Sequence, residues 1–232
     1  MNNREFAENT AQILLDTGCV LFRPDEPFFF SSGWVSPVFV DVKRLISYPL
    51  ARNRLVELAV RKILSKVGYD AFDIIAGGEL AGIPFAAMVA DRLNLPLLIV
   101  RKQAKGYGPK AQIEGMIKPG QRVLLVEDLT TDGRTKALFC DGLRRAGADV
   151  RHAFVIFKYG IFDLVVRDLD SRGVDLFSLA DWNALIKVAR ARGAMDPKTL
   201  AEIESYIADP MTWSEIHGGA GPAIAAQSPR NE

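Results

Sequence analysis

Two hydrophobic periods alternate along this chain, and the places where one gives way to the other mark its elements. Apolar positions return at helical spacing over about residues 4–15, which predicts an amphipathic N-terminal helix. A second helix follows Pro49, with Leu55, Leu58, Ala59 and Ile63 facing inward. Short apolar runs bounded by turn residues then predict buried strands at 73–76, 97–100, 122–126 and 150–157. The clearest is Val123-Leu124-Leu125-Val126, too short and too β-branched for a helix and preceded by the turn signal Pro119-Gly120. Between the strands lie helices. One has Pro84 in its first turn and Phe85, Met88, Val89 and Leu93 along one face. Another carries Ala137, Leu138, Leu143 and Ala146 and stops at Gly147. After Val174-Asp175-Leu176-Phe177-Ser178, helices are expected at 180–190 and 197–208. Such alternation specifies an α/β fold, a right-handed wound and mainly parallel sheet flanked by helices, with ligands at the strand C-termini.

The expected organisation is a single domain over 1–212. It comprises a small N-terminal hood or flap at about 18–45, a core at about 50–180 and C-terminal helices to about 209. The Gly/Ala/Pro/Ser-rich remainder, 213–232, is expected to be a disordered tail. A chain of 232 residues with 49% hydrophobic content is ample for one such core. Twenty-nine basic against 28 acidic residues leave almost no net charge, which argues against a dedicated nucleic-acid or membrane-surface binder. No run approaches the ~20 apolar residues of a membrane helix. The start Met1-Asn2-Asn3-Arg4-Glu5 lacks a secretory pattern, so a cytoplasmic location is expected. Cys19 and Cys140 are too few for a disulfide scaffold. His152 and His217 form no metal-ligand spacing, and no Gly-x-Ser-x-Gly elbow exists.

The positive charge is local, and so is the chemistry. After the run 123–126 comes Glu127-Asp128-Leu129-Thr130-Thr131-Asp132-Gly133-Arg134-Thr135-Lys136. A turn that opens a helix presents unpaired N–H groups and the positive end of the dipole, which favour a phosphate at Thr131 to Thr135. The hydroxyls of Thr130, Thr131 and Thr135 can add donors. Glu127 and Asp128 would repel that phosphate, but they can accept hydrogen bonds from the diol of a sugar carrying it. The plainer alternative is a helix capped by Thr130 or Thr131, with solvated acids. A second segment, Arg101-Lys102-Gln103-Ala104-Lys105-Gly106-Tyr107-Gly108-Pro109-Lys110, cannot pack as a strand or stay helical past Gly106. It is a cation-rich loop suited to shielding an anionic ligand. Taken alone, it can equally be a solvated charge run.

Two further segments carry turns. Phe30-Ser31-Ser32-Gly33-Trp34-Val35-Ser36-Pro37-Val38-Phe39-Val40-Asp41 predicts a hairpin-like flap. Asp73-Ile74-Ile75-Ala76-Gly77-Gly78-Glu79-Leu80-Ala81-Gly82-Ile83-Pro84 predicts a strand, a glycine turn and a helix. Its Gly77-x-x-x-x-Gly82 spacing is no P-loop, because Ile83 and Pro84 occupy the Lys and Ser/Thr positions. Gly106-x-Gly108-x-x-Ala111 opens no apolar helix and makes a poor dinucleotide fingerprint.

The acid-acid-Thr loop resembles the phosphoribosyl-diphosphate (PRPP) signature of type I phosphoribosyltransferases. Arg-Lys-x-x-Lys-x-Tyr-Gly at 101–108 and Ser-Gly-x-x-Ser-Pro-x-Phe-x-Asp at 32–41 are similar to the catalytic loop and base-binding hood of the orotate phosphoribosyltransferases. The resemblance covers roughly 30–157. It implies a type I phosphoribosyltransferase-like fold and transfer of phosphoribose from PRPP to orotate. PRPP would contact Arg101, Lys102, Lys105, Tyr107 and the run Glu127, Asp128, Leu129, Thr130, Thr131, Asp132, Gly133, Arg134 and Thr135. Catalysis would rest on Lys105, Arg101, Lys102 and Asp128. Orotate would meet Thr131, Phe39 and Val40, and the diphosphate loop would be Gly78, Glu79, Leu80 and Ala81. It also implies Mg2+ held mainly by PRPP and water, with no protein metal ligands, and a homodimer whose basic loop serves the neighbouring site. Departures from the family pattern are Asp132 and Arg134 in the phosphate turn, Tyr107 where many members have His, Ser31 and Ala81 where some have Lys, and Lys158-Tyr159-Gly160 without the arginine that pairs the orotate carboxylate. The alternatives are a phosphoribosyltransferase for another base and a PRPP-binding regulator without turnover.

Overall fold

The structure is a computed structural model that describes residues 1–23, 25–30, 33–104, 112–131, 133–161 and 169–220. Helix α1 (Asn3–Asp16) starts from a capping box: Asn2 Oδ1 accepts from Glu5 N–H at 3.0 Å, and the Glu5 carboxylate accepts from Asn2 N–H at 2.9 Å. Its apolar stripe buries Phe6, Ala11 and Leu14.

The hood is not one hairpin. Strand β1 (Val20–Phe22) pairs antiparallel with β4 (Val38–Val40), while β2 (Phe28–Phe29) pairs antiparallel with β3 (Val35–Ser36). Pro37, which has no N–H for a ladder, separates β3 from β4, and its carbonyl accepts from Arg23 N–H at 2.7 Å. A 3-10 helix at Val42–Ser47 then leads into α2 (Pro49–Val67), whose Leu55, Leu58, Ala59 and Ile63 are buried as expected.

The main sheet is built from β5 (Ile74–Gly78), β6 (Leu97–Val100), β7 (Ile113–Glu114), β8 (Arg122–Thr130), β9 (Asp149–Lys158) and β10 (Asp175–Asp181), in the order β10-β9-β8-β5-β6-β7. All neighbours are parallel except β6 and β7. The chain steps from β5 to β6 on one side, then returns to place β8 on the other. That reversal opens a crevice outside the C-terminal ends of β5 and β8, the usual ligand position in a wound sheet. Helices α3 (Gly82–Leu93), α4 (Arg134–Arg145), α5 (Trp182–Arg192), α6 (Pro197–Ala208) and α7 (Pro210–Ile216) complete the described elements.

Side chains of β8 alternate between two cores. Leu124 and Val126 join the larger one, with the hood, α1, α2 and α3; Val123 and Leu125 join the smaller one, against α4. Each such fully buried side chain contributes about 1.5–3 kcal/mol of transfer free energy.

Several expectations shift. Leu138 is 54% exposed, because the stripe of α4 runs through Lys136, Phe139, Cys140 and Leu143, opposite to it on the helix. Strand β8 continues past 126 to Thr130, so both acids stand inside a strand, and its Thr130 pairs in register with Lys158 of β9. Ala180 and Asp181 end β10 rather than begin a helix, and Asp181 caps α5 by accepting from Ala184 N–H at 3.0 Å. Order extends beyond 212. Helix α7 is capped by Asp209 and buries Trp213 and Ser214, and Ser214 Oγ accepts from Val35 N–H at 3.0 Å, tying the C-terminal helices to the hood. Residues 221–232 of the expected tail lie outside the described residues. Both cysteines are free and buried.

Candidate active site

A cavity of about 880 Å³ occupies the crevice between β5 and β8. Its walls come from four places in the chain: Glu79, Leu80 and Ala81 after β5; Arg101, Lys102, Gln103 and Ala104 after β6; Glu127 to Thr131 at the end of β8; and Gly133, Thr135 and Lys136 at the start of α4. Lys43, on the 3-10 helix that continues the hood, closes one side. Most of the residues expected in PRPP binding therefore meet here.

The two acids differ sharply. Glu127 is 3% exposed: one carboxylate oxygen accepts from Gly78 N–H at 2.9 Å, and the other lies 2.9 Å from the Lys136 ammonium. Burial pushes the Glu127 carboxyl up, and the Lys136 charge opposes that shift. The glycines make room for it. A Cβ at Gly78 would stand 2.5 Å, and at Gly82 1.8 Å, from the Glu127 oxygen. Asp128 is 6% exposed and lines the cavity, and among the described residues its carboxylate has no hydrogen-bond partner.

Beyond the acids, Gly133 is the N-cap of α4 with a φ of 70°, in the left-handed region where glycine is unstrained. Among the described residues no side chain caps this helix, and a helix start of that kind offers N–H groups to an anion. The capped helix with solvated acids is thus not the arrangement adopted. The Thr130 hydroxyl is buried without a partner among the described residues.

The stem of the basic loop is clasped. Arg101 N–H donates to the Gln112 carbonyl at 2.8 Å, and Gln112 Nε2 donates to the carbonyls of Arg101 and Lys102 at 3.1 and 3.3 Å. Arg145 of α4 donates to Gln112 Oε1, and the Glu79 carboxylate accepts from Lys102 N–H at 3.0 Å. The Arg101 guanidinium rests on Glu114, at 3.0 and 2.7 Å.

Not every expected residue lines the cavity. Arg134 is exposed and outside the lining. Gly78 sits just beneath, holding Glu127. Phe39 packs on Phe28 and Phe30, with ring centroids 5.8 and 5.9 Å apart, and Val40 is buried with its N–H donated to the Tyr159 hydroxyl at 3.1 Å. Lys105, Tyr107 and Asp132 lie outside the described residues. Sequence reasoning assigned no role to Lys43, Gln103, Ala104 or Lys136. For Lys136 a signal exists: a cation on the apolar stripe of an amphipathic helix must find a buried partner.

The profile of the phosphoribosyl transferase domain matches residues 49–183. Over 218 residues the chain is 50% identical to the orotate phosphoribosyltransferase of Cereibacter sphaeroides, covering 94% of each. It is 47% identical to that of Sinorhizobium fredii, covering 95% of each. Among solved structures, Leishmania donovani UMP synthase superposes with a TM-score of 0.73 at 28% identity, over 87% of this chain and 42% of that one. Orotate phosphoribosyltransferase from Aeropyrum pernix superposes with a TM-score of 0.64 at 30% identity, over 79% of this chain and 99% of that one.

Proposed function

The chain belongs to the phosphoribosyl transferase family, and from that premise we infer that it transfers the 5-phosphoribosyl group of PRPP to orotate, giving orotidine 5′-monophosphate and diphosphate, a step of pyrimidine biosynthesis. The observation that carries this reading at the site is the junction, in one cavity at the sheet's reversal, of a helix start that no described side chain caps, two buried acids and the base of a cationic loop.

The 5′-phosphate takes the N–H groups and hydroxyls from Thr131 to Thr135. Its ribose diol donates to Asp128 and Glu127, and the backbone after β5, at Glu79 to Ala81, meets the diphosphate. As the C1–O bond lengthens, positive charge grows on the ribose beside the two acids, and negative charge grows on the leaving diphosphate. Lys105, Arg101 and Lys102 stabilise the latter. For that, Arg101 exchanges Glu114 for diphosphate oxygens. Orotate is already an anion, so no strong base is needed. Thr131 and the hood residues Phe39 and Val40 hold the base, which requires the hood to move relative to its packing around Phe28 and Tyr159.

Among the described residues no group of three His, Cys, Asp or Glu is assembled for a metal ion. The cavity chemistry fits a Mg2+ carried by PRPP oxygens and water, which would neutralise diphosphate charge. The reading includes a homodimer in which the basic loop serves the neighbouring site, and a cytoplasmic enzyme. Among the described residues no helix is long and apolar enough to cross a membrane.

The test is PRPP consumption by purified protein with a panel of free bases, following diphosphate release. Orotate-dependent turnover is expected; turnover of hypoxanthine or uracil but not orotate would reassign the base, and PRPP binding without turnover would mark a regulator. Lys105→Ala should lower kcat by roughly 100-fold or more while PRPP affinity changes little, as for loss of a group acting on transition-state charge.

A further inference from the structure

We propose that Lys136 is a positioning residue for the ribose: it holds the Glu127 carboxylate ionised and oriented at the cavity wall, acting on PRPP through Glu127 rather than by touching it. The proposal rests on PRPP being the ligand of this cavity.

The geometry singles out this pair. Lys136 projects from the first turn of α4 on its buried stripe, its side chain only 10% exposed, and meets Glu127 at 2.9 Å, where the carboxylate is 4% exposed. A carboxylate that deep is stable as an anion only with a partner. Gly78 and Gly82 approach it so closely that neither leaves room for a Cβ, and Gly78 N–H fixes the second oxygen. With one oxygen on Gly78 N–H and the other on Lys136, the direction of its unused lone pairs is set by where those two groups hold it. Both Glu127 and Lys136 border the cavity, beside Asp128.

The charged or titratable groups around Glu127 are Lys136 from α4, Asp128 next to it on β8, and Cys140 one turn further along α4. Among the described residues Lys136 is the one cation acting on Glu127, so removing it leaves burial and Asp128 both favouring the protonated acid. A protonated Glu127 loses the charge that accepts strongly from a diol.

Calorimetric PRPP binding in the presence of magnesium, measured across pH, tests this on five proteins: wild type, Lys136→Met, Lys136→Arg, Glu127→Gln and the double variant Glu127→Gln/Lys136→Met. Lys136→Met should raise the Kd for PRPP about tenfold or more near neutral pH. Relative to wild type at each pH, the deficit should shrink on raising the pH, by up to about tenfold per unit while Glu127 ionises. Lys136→Arg should restore most of the affinity, and kcat with orotate should change less than KM. In the Glu127→Gln background, adding Lys136→Met should change nothing further. That last comparison keeps the test decisive even if Lys136→Met alone does not fold. An unchanged Kd in Lys136→Met, or an equal loss with and without Glu127, would overturn the proposal, the latter because Lys136 would then contact PRPP directly. Wild-type protein that binds no PRPP would overturn the functional reading itself, an outcome distinct from either.

Discussion

Strand β8 carries an ion pair near each end, and the two ends treat charge in opposite ways. At its first residue, Arg122 meets Asp73 at 2.5 Å with side chains 42% and 36% exposed. Near its last, Glu127 meets Lys136 at 2.9 Å with side chains 4% and 10% exposed. Arg122 also donates to the Asp70 carbonyl, and the whole arrangement stays in contact with water. Its hydrogen bonds hold the Asp73 carboxyl down to about 2, whereas burial pushes Glu127 up despite its cation. A surface pair gains little because water already solvates both partners; a buried pair forfeits that solvation and endures only where packing and hydrogen bonds replace it. The N-terminal end of the sheet therefore uses charge as a mild latch. The C-terminal end stores it, nearly out of reach of water, at the wall of the cavity.

Breaking the buried end should have the largest effect. Glu127→Ala leaves the Lys136 ammonium buried without its carboxylate, and denaturant unfolding should show a loss of about 3–5 kcal/mol. A loss below ~1 kcal/mol would mean that water reaches this pair and that the two ends are alike. Asp128→Asn separates function from stability at the same end. It should lower kcat/KM for PRPP by about 100-fold, as expected for removing a charged acceptor beside developing positive charge, while the melting temperature stays within a few degrees.

The exposed end should give the smallest effect. Asp73→Asn should leave kcat/KM unchanged and lower the melting temperature by no more than a few degrees near neutral pH. The sign of its pH dependence follows from the folded carboxyl lying below its usual 3.8. Stability from this pair is fully present above that value and is lost as the pH falls through about 2. The melting difference between wild type and Asp73→Asn should thus be constant above about pH 4 and vanish toward pH 2. A difference that grew on acidification would reverse the assignment.

Much of this architecture is legible in the chain itself. The runs at 97–100 and 122–126, the helix after Pro49 and the acid-Thr-Gly turn are local patterns, each decided by residues a few positions apart. They place a wound parallel sheet, and their polar ends point to a phosphate and a sugar. Where the reading falls short, the cause is a partner far away in sequence. Leu138 looks apolar enough for the core, yet α4 turns Phe139 inward because Gly78 offers its ring a place. The flap reads as one hairpin, but Pro37 divides it, and Ser214 in the last helix and Tyr159 just past β9 fix its two ribbons.

By itself the sequence determined the elements, their alternation and the residue types gathered at strand ends, because turn chemistry and hydrophobic period act over short distances. Only the tertiary structure decided that β8 lies beside β5. That adjacency sets Glu127 against Gly78 and Gly82, brings Lys136 down onto it, and leaves Asp128 facing the cavity. Strand order depends on the summed packing of both sheet faces, a property no local window of the chain contains.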